Sequence, residues 1–259
     1  GELYVGQIKQ MITQAYIEES GNGKLRHESA LVAEEMKARG IPYKTFTVKK
    51  IYRRQLPLDS MTLVVGDMDC MYGALKQLGI DIPPNNDYPK SLSHLLHRKV
   101  WTTTLGAVKE SFLNSGVPVF IKPAGRKKVF TGFVCEDSND LYRCLGVSRK
   151  EPVYCSEIVS WVSEFRVYVS NSQILGVDFY RGDDSKSIDI TVVEQAIKDL
   201  DQASESYAGY AIDFGVLSSG ETALVEMNDG FSVGAYSIDK SKYTDMTISR
   251  WEELLSYKI

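Results

Sequence analysis

Asp213 and Glu226 lie in the runs GYAIDFGVL and TALVEMN, which alternate in polarity on either side of Ser219-Gly220. A two-residue hairpin turn there sets a register in which Asp213 lies directly opposite Glu226, with Asn228 on the same face as Glu226. Opposed residues hold their Cβ atoms about 4.5–5.5 Å apart. Two carboxylates so placed repel each other, and a hard divalent cation removes the conflict. Mg²⁺ takes oxygen ligands and keeps positions open for waters and phosphates, and Asp213, Glu226 and the Asn228 carbonyl supply such oxygens. A solvated hairpin face with scattered polar residues is the plain alternative. A change of one residue in turn length would break the pairing.

Lys122 ends the apolar segment PVFIKP and is followed by a loop holding Gly125, Arg126, Lys127 and Lys128. A lysine at a strand end can hold phosphates from one side while a flexible basic loop folds over them as a lid. An ordinary basic surface hairpin would read the same way. The loop is not a Walker A motif, because no G-x-x-x-x-G-K-[ST] occurs.

Arg166 lies in YCSEIVSWVSEFRVYV, two residues past Glu164 and on the same strand face. An arginine within an apolar strand needs an anionic partner if it is buried. That partner is either a neighbouring carboxylate or a transferring phosphoryl group whose transition-state charge the arginine steadies. Arg181, in VDFYRGDD, is a second candidate at a strand end, where a solvated turn residue would also fit. His94 and His97 lack a third ligand nearby and read as surface residues. Cys70, Cys135, Cys144 and Cys155 form no C-x-x-C pair, so free thiols in a reducing compartment, the cytoplasm, are expected.

The elements that must position these groups divide the chain in two. Up to about residue 95 strands and helices alternate: a helix over Ser29–Arg39 stopped by Gly40, a strand over Met61–Val65, a helix over Met71–Gly79, then a loop at Pro83–Asn86. Ser91–Asn114 reads as helical and is broken by Gly116-Val117-Pro118. From there to Val233 the chain is strand-rich, interrupted by a helix at Thr191–Ala203, and a closing helix runs over Met246–Tyr257. The expected class is α/β (α+β), with an N-terminal α/β domain over 1–95 and a core over 96–259.

With 259 residues, 43% of them hydrophobic, the chain has ample material for such cores. A net charge of -4 gives no footprint for nucleic acid or an anionic membrane. No apolar run approaches the roughly 20 residues of a spanning helix, and the opening GELYVGQIKQMITQ lacks a signal-peptide layout.

Taken together the segments resemble the ATP-grasp superfamily. The order is strand lysine, glycine-bearing lid, hinge at Glu157, Arg166, Asp213, then the Glu226-x-Asn228 pair. The E-F-R run, the D-F-G-V strand and the E-M-N-D-G-F-S-V-G end look most like the divergent branch named for two arginines and one lysine. That branch includes the eukaryotic cell-division-cycle factor that assembles translation initiation factor two. The resemblance covers roughly residues 98 to 236, and the N-terminal part resembles a pre-ATP-grasp domain.

The resemblance implies ATP and Mg²⁺ as cofactors. It places Lys122 at the α- and β-phosphates and Lys128 in the lid, with Lys127 or Arg126 able to take that role. Backbone groups of Glu157, Ile158 and Val159 would read adenine, and Glu164 would hold the ribose. Arg166 would face the γ-phosphate and Arg181 the acyl-phosphate region. Asp213, Glu226 and Asn228 would hold Mg²⁺. The implied activity is a carboxylate–amine ligase acting through an acyl phosphate on a peptide, protein or amino acid. An ATP-binding assembly factor for a protein partner is the alternative. The lid is shorter than in many relatives, which bears on how the substrate is enclosed.

Overall fold

Short β-branched and apolar runs build a first, parallel sheet. Its strands are β1 (Gln14–Glu18), β2 (Tyr43–Phe46) and β3 (Thr62–Val65), in the order β2-β1-β3. The computed structural model describes residues 12–258, so most of the opening GELYVGQIKQMITQ lies outside the described residues. Helix α1 (His27–Arg39) ends on Gly40, whose φ of 68° is the left-handed conformation that terminates helices. A short α2 (Val48–Tyr52) precedes β3, and α3 (Met68–Leu78) starts where the Asp67 side chain accepts from the Cys70 N–H. The expected strand at Met61–Val65 and both expected helices are present; β1 and β2 are too short and too mixed in polarity to stand out in the sequence.

Ser91–Asn114 is not one helix, which corrects the sequence-based expectation. It divides into a 3-10 turn at Lys90–Leu95, strand β4 (Val100–Thr104) and helix α4 (Leu105–Asn114). The segment VWTTT is aromatic and β-branched, so it loses rotamer freedom in a helix and fits a sheet. His94 falls in the 3-10 turn, whereas His97 lies outside it with a φ of 51°.

Two antiparallel sheets follow. One contains β4, β5 (Val119–Pro123), β6 (Phe133–Cys135) and β7 (Pro152–Ser156), in the order β4-β7-β5-β6. The other contains β8 (Trp161–Ser170), β9 (Gln173–Gly182), β10 (Gly209–Leu217) and β11 (Thr222–Asp229), in the order β11-β10-β8-β9. Helix α5 (Ile190–Gln202) backs the second sheet through Val193, Ala196, Ile197 and Leu200. Helix α4 backs the first through Leu105 and Val108. The chain closes with α6 (Lys240–Ser256), which packs Trp251, Leu254 and Leu255 into the same apolar cluster as β1, β3, α1 and α3.

The β10–β11 hairpin reaches the expected pairing by an unexpected route. Its turn is one residue longer than two: the Leu217 N–H donates to the Glu221 carbonyl around Ser218, Ser219 and Gly220. Gly220, at φ 91°, supplies the positive φ such a loop requires. Alone, this extra residue would slip the register. A bulge beside Asp213 skips Val225, and the register returns, so that Asp213 faces Glu226 and Ala211 faces Asn228.

Candidate active site

The two antiparallel sheets face each other across a cavity of about 650 Å³, within the size range of small-molecule sites. Alternation along β5 sends Ile121 into the apolar core and Lys122 into the cavity. Lys122 is only 9% exposed. Its Nζ lies 2.7 Å from Glu226 Oε2 and 2.8 Å from Asp87 Oδ2, and 4.5 Å from the centroid of the Tyr88 ring. Burial would push the lysine pKa down, but Glu226, Tyr88 and Asp87 outweigh it and raise it. Burial also works against ionised Glu226, yet the charge of Lys122 wins and holds that carboxyl below its ordinary value. At Asp87 burial prevails over Lys122 and the pKa rises. The Glu226 contact is therefore the stronger half of the triad.

A second ion pair lies deeper. Arg166 on β8 donates from Nε and Nη2 to the two oxygens of Asp213, at 3.0 and 3.1 Å. The Tyr180 hydroxyl donates to Asp213 Oδ2 at 3.0 Å, and Arg166 Nη1 donates to the Gly234 carbonyl at 2.9 Å. The guanidinium sits 5.1 Å from the Tyr236 ring centroid, and Tyr236 stacks on Tyr180. Asp213 is 1% exposed, and burial pushes its carboxyl up to about 6 despite the opposing effect of Arg166. Asn228 lines the same cavity, and its Nδ2 is buried without a hydrogen-bond partner. Among the described residues no group of three or more His, Cys, Asp or Glu is arranged to hold a metal. The donor set here is two carboxylates and an amide. That suits a hard cation whose remaining ligands are phosphate oxygens and waters.

The other expected residues fall around this centre with unequal engagement. Glu157, Ile158 and Val159 line the cavity in the link between β7 and β8. The Glu157 carboxylate accepts from the Lys99 N–H at 2.6 Å. Glu164 is buried, its pKa raised by that burial, and lies opposite Arg181 in the β8–β9 register. Arg181 approaches it only to 3.6 Å and is largely exposed. In the loop after β5, Arg126 and Lys128 line the cavity and Lys127 does not. That loop is tied down by Tyr72 Oη donating to the Arg126 carbonyl at 2.9 Å and Asn85 Nδ2 donating to the Gly125 carbonyl at 2.7 Å.

Three cavity residues escaped the sequence reading. Asp87 and Tyr88 follow the Pro83–Asn86 loop, where no periodicity marks them. Arg98 was hidden inside the supposed helix; recognising VWTTT as a strand would have placed it just before a strand start at the cavity wall. Its guanidinium donates to Ser156 Oγ and to the carbonyls of Leu96, Leu224 and Val225 at 2.8–3.3 Å, and it lies 5.1 Å from the Trp161 ring centroid. Among the described residues no carboxylate pairs with it, and burial lowers its pKa.

Residues 95–246 match the ATP-grasp domain of the clade named for two arginines and one lysine, family 2. The chain belongs to the ATP-grasp superfamily, in that clade. The matched span holds β4 to β11 and the cavity residues from Arg98 to Asp229. Solved ATP-grasp proteins share the fold at low identity. D-alanine–D-alanine ligase from Bacillus anthracis, complexed with ATP, is 15% identical over 95% of this chain and 98% of that one, with a TM-score of 0.53. D-cycloserine synthetase DcsG is 10% identical over 93% and 99%, with a TM-score of 0.59. The macrocyclase MdnC from Microcystis aeruginosa MRC, bound with precursor peptide MdnA, is 14% identical over 93% and 98%, with a TM-score of 0.50. No match is found among curated proteins. No helix among the described residues of this ATP-grasp chain is long and apolar enough to cross a membrane.

Proposed function

We propose that this protein is an ATP-dependent carboxylate–amine ligase, cytoplasmic, which forms an amide through an acyl phosphate on a peptide, protein or amino acid. The observation that carries the reading is the contact of Lys122 with Glu226 across the cavity, next to the opposed Asp213. It brings a phosphate-holding cation and a cation-holding carboxylate to one point.

In this reading a substrate carboxylate oxygen attacks the γ-phosphorus of ATP and ADP leaves. An amine then attacks the acyl carbon, phosphate departs, and the amine loses a proton. The demands are positioning and charge stabilisation. Lys122 holds the α- and β-phosphates. Arg166 steadies the γ-phosphoryl group, and Lys128 or Arg126 covers it from the lid. Glu157, Ile158 and Val159 face adenine and Glu164 the ribose. Asp213, Glu226 and Asn228 hold Mg²⁺, which neutralises phosphate charge when bound. Arg181 stands at the rim by the acyl phosphate. Arg98, buried and without a carboxylate partner, is better placed than Arg181 for a further phosphate contact.

The N-terminal unit, residues 1–95, forms the acceptor side. A cavity of about 150 Å³, lined by Arg26, Glu28, Asp67 and Gly234, shares Met68, Phe231 and Ser232 with the main one. It lies beyond the carboxyl ends of β1 and β3, where open α/β sheets take their ligands. Its carboxylates suit an amine.

ADP and phosphate release on addition of amino acid or peptide acceptor pairs tests the reading, with mass spectrometry of ATP-dependent products from lysate as a wider screen. Tight Mg²⁺–ATP binding without release over every acceptor would favour the second reading, an assembly factor akin to the eukaryotic one. The short lid over residues 124–132, which leaves Arg126 and Lys128 exposed, is the observation on that side.

A further inference from the structure

Both carboxylates assigned to the metal are already occupied by cations of the protein itself. Lys122 Nζ sits 2.7 Å from Glu226 Oε2. Arg166 takes both oxygens of Asp213, and Tyr180 takes one of them again. Acidic and basic side chains line the cavity in equal number, six of each. The walls therefore offer no surplus negative charge to a lone dication and no surplus positive charge to a lone polyphosphate.

We propose that the metal and the nucleotide enter this site as one coupled event, because each removes what blocks the other. This rests on the nucleotide-site reading above. A dication alone would have to drive Lys122 off Glu226 and Arg166 off Asp213, leaving two buried cations unpaired, which is a strongly unfavourable outcome. Phosphate oxygens remove that cost, since they are the counter-charge Lys122 and Arg166 would otherwise lack. Conversely, phosphates alone would draw the two cations away and leave Glu226 and Asp213 buried and facing each other, a conflict the dication cancels. Asn228, whose Nδ2 has no partner, joins the donor set only in the combined state. The coupling is reciprocal, and couplings of this kind run from roughly 5- to 150-fold.

The test is Mn²⁺ binding to the nucleotide-free chain, read from the electron paramagnetic resonance signal of free Mn²⁺. Wild type should bind weakly. Lys122→Met, with its fold checked by circular dichroism, should bind at least roughly tenfold more tightly, and adding Glu226→Gln to it should abolish the gain. Arg166→Gln should produce a gain through Asp213 by the same logic, which covers the case of Lys122→Met failing to fold. In wild type alone, Mn²⁺ without nucleotide should leave the melting temperature unmoved. Wild type taking up Mn²⁺ as tightly as the variants, or melting higher with Mn²⁺ alone, overturns the proposal. Calorimetry with Mg²⁺–ATP separates the two failures. If wild type does not bind Mg²⁺–ATP, the nucleotide site itself is wrong; if it does and neither variant gains Mn²⁺ affinity, only the coupling is wrong.

Discussion

Lys122 and Glu226 touch across the cavity, with Nζ 2.7 Å from Oε2, and so join β5 of one sheet to β11 of the other. The contact makes the site and the packing of the sheets one problem. It also ranks substitutions. Asp213→Ala strands buried Arg166 and should cost about 3–5 kcal/mol of stability, read as a lower denaturant midpoint. Glu226→Gln leaves Lys122 its second carboxylate, Asp87, and is the cleaner probe.

Arg166→Gln should lower kcat by roughly 100-fold or more, with KM for ATP moving less than about tenfold. Steady-state kinetics with an active acceptor pair checks this. Equal loss in both constants would make Arg166 a binding or packing residue.

Arg98→Met should weaken nucleotide binding by roughly 10- to 100-fold, the scale of a charged hydrogen bond of about 1.5–3 kcal/mol. Arg181→Met, at an exposed position, should have a smaller effect. Titrating a non-hydrolysable ATP analogue into both variants compares them; the reverse order would restore Arg181 as the principal second arginine.

The pH dependence follows from Asp213, whose carboxyl is raised by burial to about 6. A carboxyl raised on folding contributes stability that is fully present below its unfolded value of about 3.9 and is lost as pH rises through 6. Metal binding requires the ionised form, so Mg²⁺–ATP affinity should fall as pH drops below 6. Binding near pH 6 should also release protons, and calorimetry in buffers of different ionisation enthalpy measures that release. No proton release at pH 6 would show that Asp213 is already ionised.

Trp251 on α6 is fully buried, and its Nε1 donates to the Thr62 carbonyl of β3 at 2.9 Å. Trp251→Ala should cost about 3–5 kcal/mol, seen as a lower denaturant midpoint. A loss confined to the first 95 residues, with the remainder unfolding as before, would show that α6 does not couple the two parts.

Much of the site was legible because its residues break local rules: a lysine ending an apolar strand, an arginine inside one, and two carboxylates opposed in a hairpin. The Asp213–Glu226 register was reached through two compensating departures, the longer turn and the skipped Val225, neither of which alternation alone reveals. Strand β4 was missed because apolar spacing over Ser91–Asn114 masked the β-branched VWTTT, and Arg98 went with it. Asp87 and Tyr88 lie in a linker whose place is fixed by tertiary contact, the Met227 N–H donating to the Asp87 carbonyl, and no local pattern encodes that.

The central claim is that Glu226 helps to hold the metal that carries the nucleotide. Calorimetric titration of the Mg²⁺ complex of a non-hydrolysable ATP analogue into wild type and Glu226→Gln tests it most directly. One binding site is predicted in wild type, with a loss of roughly 100-fold or more in the variant, equivalent to about 2.7 kcal/mol. Equal affinity in the two proteins, with both shown to be folded, would contradict it.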